Sequence, residues 1–232
     1  MSFSFSAQEL CKITQGKWSN SHPYELDFNH VITDSRTLQV KSTGLFVAIQ
    51  GEKHDGHDFC QQAAENGHRY FMVNKLLDLP DNCFQLVVDN TLIALQKIAA
   101  AHRQKFTGKV VGITGSNGKT IVKEWLFELI SSEFRTYKSP KSFNSQIGVA
   151  LSILMAETDY EIYLIEAGIS QKGEMEHLAA MIQADLGVFT HLGQAHDSGF
   201  SSREEKLLEK CKLFQKCNWV IAHHSSELNP II

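Results

Sequence analysis

The chain has 232 residues, enough for one large domain or two small ones, and its 43% hydrophobic and 21% charged residues are the balance of a globular protein with a buried core. A net charge of −4 argues against a general nucleic-acid binder, which needs a basic face, so an anionic ligand has to be met by local basic groups. Five cysteines without a CxxC pair read as free thiols of a reducing compartment, the N-terminus lacks the pattern of a signal peptide, and no apolar run reaches membrane-spanning length; together these place the chain in the cytoplasm.

In chain order, residues 6–15 read as a short helix, with Ser6 as N-cap and Glu9 at the capping-box position. Residues 23–33 are mixed and extended. DSR at 34–36 and a turn at 41–44 precede a buried strand over 45–49. The loop GEKHDGHDF (51–59) is polar and histidine-rich, and a helix over 58–66 is closed by Gly67. Strands follow at 69–73 and 85–89, then a helix over 91–106. A domain boundary is placed after residue 107, giving domains 1–107 and 108–232.

The second part alternates strand and helix. Strands are expected at 109–114, 135–137, 160–166, 186–190 and 218–222, with helices at 119–132, 146–156, 173–183 and 202–217. That alternation predicts an α/β fold whose parallel sheet is covered on both faces. The sequence ends soon after the last strand with no covering helix, which suggests a piece of something longer.

VVGITGSNGKTIV (110–122) organises this half. A strand, a glycine-rich turn and a helix start are the context that makes a phosphate loop credible. Gly115, Ser116, Asn117 and Gly118 can turn backbone N–H groups toward a polyphosphate at a helix N-terminus. Lys119 can reach the β- and γ-phosphates, and the Thr120 hydroxyl can ligate Mg²⁺. The general pattern wants glycine where Ile113 stands; here glycines sit at 112 and 115 instead. Glu166 ends strand 160–166, the place where phosphate-loop proteins hold the metal. Beside it, His196 becomes a candidate ligand and His191 a weaker one, although loop histidines alone are usually surface residues. The pairs His54/His57 and His223/His224 lack zinc-ligand spacing. Asn74, Lys75 and Asp78 form NKxxD ahead of the loop, which is a strand-end loop rather than a guanine reader.

These motifs together resemble the Mur ligase family, ATP-dependent ligases that join amino acids or peptides to a UDP-linked muramoyl precursor. GITGSNGKT is similar to that family's phosphate loop and accounts for Ile113; DSR…GLFVAIQGEKHDGHDF is similar to its UDP-sugar domain. GKTIVKEW with FNSQIGV is most similar to the branch that adds D-alanyl-D-alanine to UDP-N-acetylmuramoyl-tripeptide, and EAG, HLGQAHDSGF and KxxLF at 210–214 follow in order. The resemblance implies a small N-terminal UDP-sugar-binding domain and an incomplete ATPase domain, with ATP and Mg²⁺ as cofactors. It implies that Lys119 and Thr120 bind phosphate and the first Mg²⁺, with Glu166 near both metals. His196 and a carbamylated Lys210 would support the second. Asn144 and Ser145 would face the substrate or the γ-phosphate, and Ser35, Arg36, Lys53, His54, Asp55, Gly56 and His57 would contact the UDP moiety. It also implies a further C-terminal domain that binds the amine, so this piece alone is expected to turn over poorly. Alternatives are another Mur ligase, a folylpolyglutamate-type ligase, or a nucleotide-binding module without catalysis.

Overall fold

The computed structural model describes residues 3–19, 26–34, 44–51, 54–193 and 199–223. The chain divides into two compact units, residues 1–102 and 103–232.

The first unit begins with β1 (Phe5–Ser6) and α1 (Ala7–Thr14). Ser6 accepts the Glu9 backbone N–H through its hydroxyl, and the Glu9 carboxylate accepts the Ser6 N–H, so the capping box closes as the sequence predicts. Next come β2 (Lys17–Trp18), β3 (Asp27–Phe28), β4 (His30–Ile32) and β5 (Gly44–Val47). After β5, a 3-10 turn over Gly56–Phe59 leads into α2 (Cys60–Glu65), followed by β6 (Tyr70–Val73), β7 (Phe84–Val87) and α3 (Thr91–Arg103). The main sheet runs β2-β7-β6-β5-β4, parallel except for β2, while β1 pairs β3 separately. Its core joins Phe46, Phe71 and Val73 to Cys60, Ala63 and Ala64 of α2.

The second unit holds β8 (Lys109–Thr114), α4 (Lys119–Ile130), β9 (Thr136–Lys138), α5 (Gln146–Met155) and β10 (Ile162–Glu166). It continues with α6 (Glu174–Ile182), β11 (Leu186–Phe189), α7 (Arg203–Cys211) and β12 (Trp219–Ala222). The sheet order is β12-β11-β8-β10-β9, and every pairing is parallel. Consecutive strand residues point to opposite faces. On one face Ile113, Leu164 and Val188 pack under Val122, Leu126 and Ile130 of α4. On the other, Gly112 and Gly187 leave room for Leu213 and Phe214, whose side chains come within 3.3 Å and 2.3 Å of where a Cβ would sit. The two-sided parallel sheet expected from the alternation is therefore the fold that forms.

Two helices stop short of their expected ends for physical reasons. α3 ends at Arg103 rather than 106: the Phe106 N–H turns back to the Arg103 carbonyl, and Arg103, the first residue of the second unit, donates from its guanidinium to the carbonyls of Ile182, Gln183 and Phe106. The helix expected over 202–217 becomes α7 plus a tighter 3-10 turn at Lys212–Phe214, which drives Leu213 and Phe214 inward onto the strand glycines.

Candidate active site

The phosphate loop leaves the carboxyl end of β8, at the centre of the sheet. Gly115 has φ 145° and Gly118 has φ 81°, the latter as the N-cap of α4. A Cβ on Gly115 would lie 2.1 Å from the Thr190 hydroxyl, so both space and backbone demand glycine. The end of β11 clamps the loop. Ser116 N–H donates to the His191 carbonyl at 2.7 Å, and the Thr190 hydroxyl donates to the Asn117 carbonyl at 2.6 Å.

Lys119 folds back over the turn, donating to the carbonyls of Gly115 and Ser116 at 3.1 and 3.2 Å. Burial lowers its pKa, Glu166 opposes that shift and Lys206 adds to it. Across the loop, the Thr120 hydroxyl donates to one Glu166 oxygen at 2.8 Å and the Asn144 amide donates to the other at 2.6 Å. Glu166 is buried, and its place follows from β10 lying beside β8. Lys210, buried on α7, donates to the Gly115 carbonyl at 3.2 Å. Burial, then Lys119 and Lys206, push its pKa down to about 8. Two lysine ammoniums, Lys119 and Lys210, thus face main-chain carbonyls of one glycine-rich turn.

The geometry can be set beside known proteins. Residues 113–227 match the Mur ligase middle domain. The chain belongs to the Mur ligase family. A UDP-N-acetylmuramoyl-tripeptide–D-alanyl-D-alanine ligase from Bacillus subtilis is 33% identical over 200 residues, covering 86% of this chain and 43% of that protein. Its counterpart from Escherichia coli is 32% identical over 199 residues, covering 86% and 42%. A MurF crystal structure from Acinetobacter baumannii superposes with a TM-score of 0.88 at 27% identity, over 98% of this chain and 51% of that one. The MurF ligase from Thermotoga maritima, solved with ADP, gives 0.78 at 28% identity, over 88% and 48%. The chain therefore spans less than half the length of the Bacillus subtilis and Escherichia coli ligases.

In this Mur ligase chain the expected site residues fall into three groups. Lys119, Thr120, Asn144, Glu166 and Lys210 gather around residues 115–118. Ser35, Arg36, Lys53 and His196 lie outside the described residues. The remainder serve the backbone in part. The Ser145 hydroxyl caps α5 by accepting the Gly148 N–H at 3.2 Å. His54 accepts the Gly51 N–H through its carbonyl. His57 is buried: its Nδ1 meets the Asp55 carboxylate at 2.5 Å, and its Nε2 accepts the Asn74 N–H at 3.1 Å. The His57 backbone N–H, then its ring, hold the Asp55 carboxyl below its usual range. Gly56 leaves no room for a side chain, since a Cβ would sit 2.6 Å from the Ile49 nitrogen.

Several contributors escape a sequence reading. Thr190, Lys123, Ser139, Lys206 and Glu209 all act through partners far away in sequence. Glu209 is buried on α7 and accepts the N–H groups of Gly173 and Met175 at 2.9 and 3.2 Å, capping the start of α6. Only the end-of-strand position of Thr190 offered any signal.

A nucleotide with Mg²⁺ fits these residues. The Ser116 hydroxyl is buried without a hydrogen-bond partner, inside a turn whose glycine N–H groups begin a helix. Thr120 and Glu166 supply hard oxygens of the type Mg²⁺ selects. Among the described residues, no three His, Cys, Asp or Glu side chains cluster as a metal site.

Proposed function

We propose that this chain forms the nucleotide- and UDP-sugar-binding part of an ATP-dependent carboxylate–amine ligase that adds D-alanyl-D-alanine to UDP-N-acetylmuramoyl-tripeptide in peptidoglycan synthesis. Residues 108–232 take ATP and residues 1–107 take the UDP-sugar. The observation that carries the reading is the meeting of Thr120, Asn144 and Glu166 beside a glycine-built phosphate loop. The identities above 30% to ligases of that name support the choice of substrate.

The terminal carboxylate of the tripeptide attacks the γ-phosphate, forming an acyl phosphate and releasing ADP. The amine of D-alanyl-D-alanine then displaces inorganic phosphate. The N–H groups of residues 115–118 and the helix start bind phosphate oxygens, and Ser116 adds a hydroxyl donor. Lys119 exchanges its two carbonyl acceptors for phosphate and spreads the developing charge. Mg²⁺, when bound, supplies a Lewis acid for those oxygens, and Thr120, Glu166, His196 and Lys210 are the residues assigned to hold it. Asn144 holds Glu166 in place. Lys210, with a pKa near 8, keeps about a tenth of its amine neutral at pH 7, the form that adds CO₂ and loses a proton to become a carbamate. Ser35, Arg36, Lys53, His54, Asp55 and Gly56 are assigned to the UDP moiety. His57, with both ring nitrogens engaged, fixes that loop instead. Free cysteines, ATP use and the lack of any described helix able to cross a membrane fit a cytoplasmic site of action.

The test is ADP and phosphate release by the full-length protein with UDP-N-acetylmuramoyl-tripeptide, with and without D-alanyl-D-alanine, and with hydroxylamine to trap an acyl phosphate. ADP formation that needs the tripeptide, with a trapped hydroxamate, is expected. ATP consumption indifferent to the tripeptide would sink the proposal.

A further inference from the structure

α4 reads as apolar at 121, 122, 125–127, 129 and 130, so the lysine at 123 looks like a solvated residue. The structure reverses this. Lys123 is 0% exposed, while Trp125 and Leu129 of the same helix are 67% and 73% exposed. Burying an ammonium costs several kcal/mol unless acceptors are already in place. Here they are. Lys123 Nζ donates to the Ser139 carbonyl at 2.8 Å and to the Lys141 carbonyl, and it lies 3.8 Å from a Glu166 oxygen and 3.4 Å from Glu124.

Those partners belong to three segments that each bring one polar group to the site. α4 carries Thr120, the turn after β9 carries Asn144, and the end of β10 carries Glu166. Ser139 reinforces the joint, its hydroxyl accepting the Glu166 N–H at 3.3 Å and its own N–H donating to Leu164 at 2.9 Å. Lys141 has φ 46°, a left-handed conformation that is unfavourable for a side-chain-bearing residue, and its carbonyl is one of the two that Lys123 binds. The turn is thus held in a conformation it would not choose alone. Without the ammonium, two carbonyls lose their donor and the Glu166 oxygen that accepts from Thr120 loses its nearby cation.

We propose that Lys123 is a positioning residue of the Mg²⁺–nucleotide site. It braces the 139–144 turn against Glu166, so that Thr120, Asn144 and Glu166 are aligned before the metal arrives. This rests on the reading of residues 108–232 as an ATP site. Lys119, one helical turn earlier, folds back on the carbonyls of Gly115 and Ser116, whereas Lys123 reaches those of Ser139 and Lys141.

The test measures ATP affinity of the chain in EDTA and in saturating Mg²⁺, for wild type, Lys123→Met and Lys123→Arg. Wild type is expected to bind ATP more tightly with Mg²⁺. In Lys123→Met that Mg²⁺-dependent gain should shrink by about tenfold or more, with affinity in EDTA kept within about threefold and part of the gain restored in Lys123→Arg. A bulk structural role would weaken both affinities alike, and that result, or an undiminished gain in Lys123→Met, overturns the proposal. Should Lys123→Met not fold, the side-chain ¹⁵N signal of Lys123 in wild type decides: it should shift when Mg²⁺ joins bound ATP, and an unmoved signal overturns the proposal. A wild type that shows no Mg²⁺ gain at all removes the nucleotide reading itself, a failure visible before any variant is made.

Discussion

Lys210 shows how a single buried amine couples this site to pH. Its pKa sits near 8 because burial and two neighbouring lysines disfavour the cation. Below pH 8 the folded and unfolded chains both hold the proton, and the cost of the buried charge is fully present. Between pH 8 and the ordinary lysine range the folded chain sheds its proton first, so stability rises with pH; above both values the cost is gone. Lys210→Met removes this group. In CO₂-free buffer, urea unfolding should show the variant's stability relative to wild type falling by about 1–3 kcal/mol from pH 7.5 to pH 10. A difference that stays flat across that range would mean the amine is not buried as a cation.

At the scale of elements, helices α4 and α7 invert the usual logic of amphipathic helices. α7 buries Lys206, Glu209 and Lys210 while Leu208 stays exposed. Hydrophobic spacing predicts where a helix lies but not which charged residue has a partner waiting. The acceptors of Lys123 are 16 and 18 residues away, and the Lys210 contact with Gly115 spans 95. Glu209 ties α7 to α6 in the same way, accepting two N–H groups that the left-handed Gly173 start leaves without a side-chain cap. Glu209→Ala should destabilise the second unit by about 2–3 kcal/mol in urea, and Glu209→Gln, which keeps an acceptor, by less. Hydrogen exchange at Gly173 and Met175 should accelerate only in the alanine variant. By contrast, the ends of α1 and the bounds of β8 were legible, because a capping box and a β-branched run act within a few residues.

For the whole molecule, the two units have separate sheets, and a ligand of one need not stabilise the other. ATP with Mg²⁺ at a hundred times its Kd adds about 2.7 kcal/mol to whatever folds around it. Hydrogen exchange with this ligand should therefore slow at 110–120 and 139–144 and leave the β5–β6 strands of the first unit unchanged. Slowing confined to the first unit would place the nucleotide elsewhere. The sequence alone determined the alternation of strands and helices, the phosphate loop and the carboxylate at a strand tip, since each is written in neighbouring residues and in the period of the pattern. Only the tertiary structure decided that β10 lies beside β8, so that Glu166 meets Thr120, and that lysines 123, 206 and 210 turn inward. A buried charge is stable only where distant carbonyls and carboxylates converge on it, and that convergence exists only after the strands have paired.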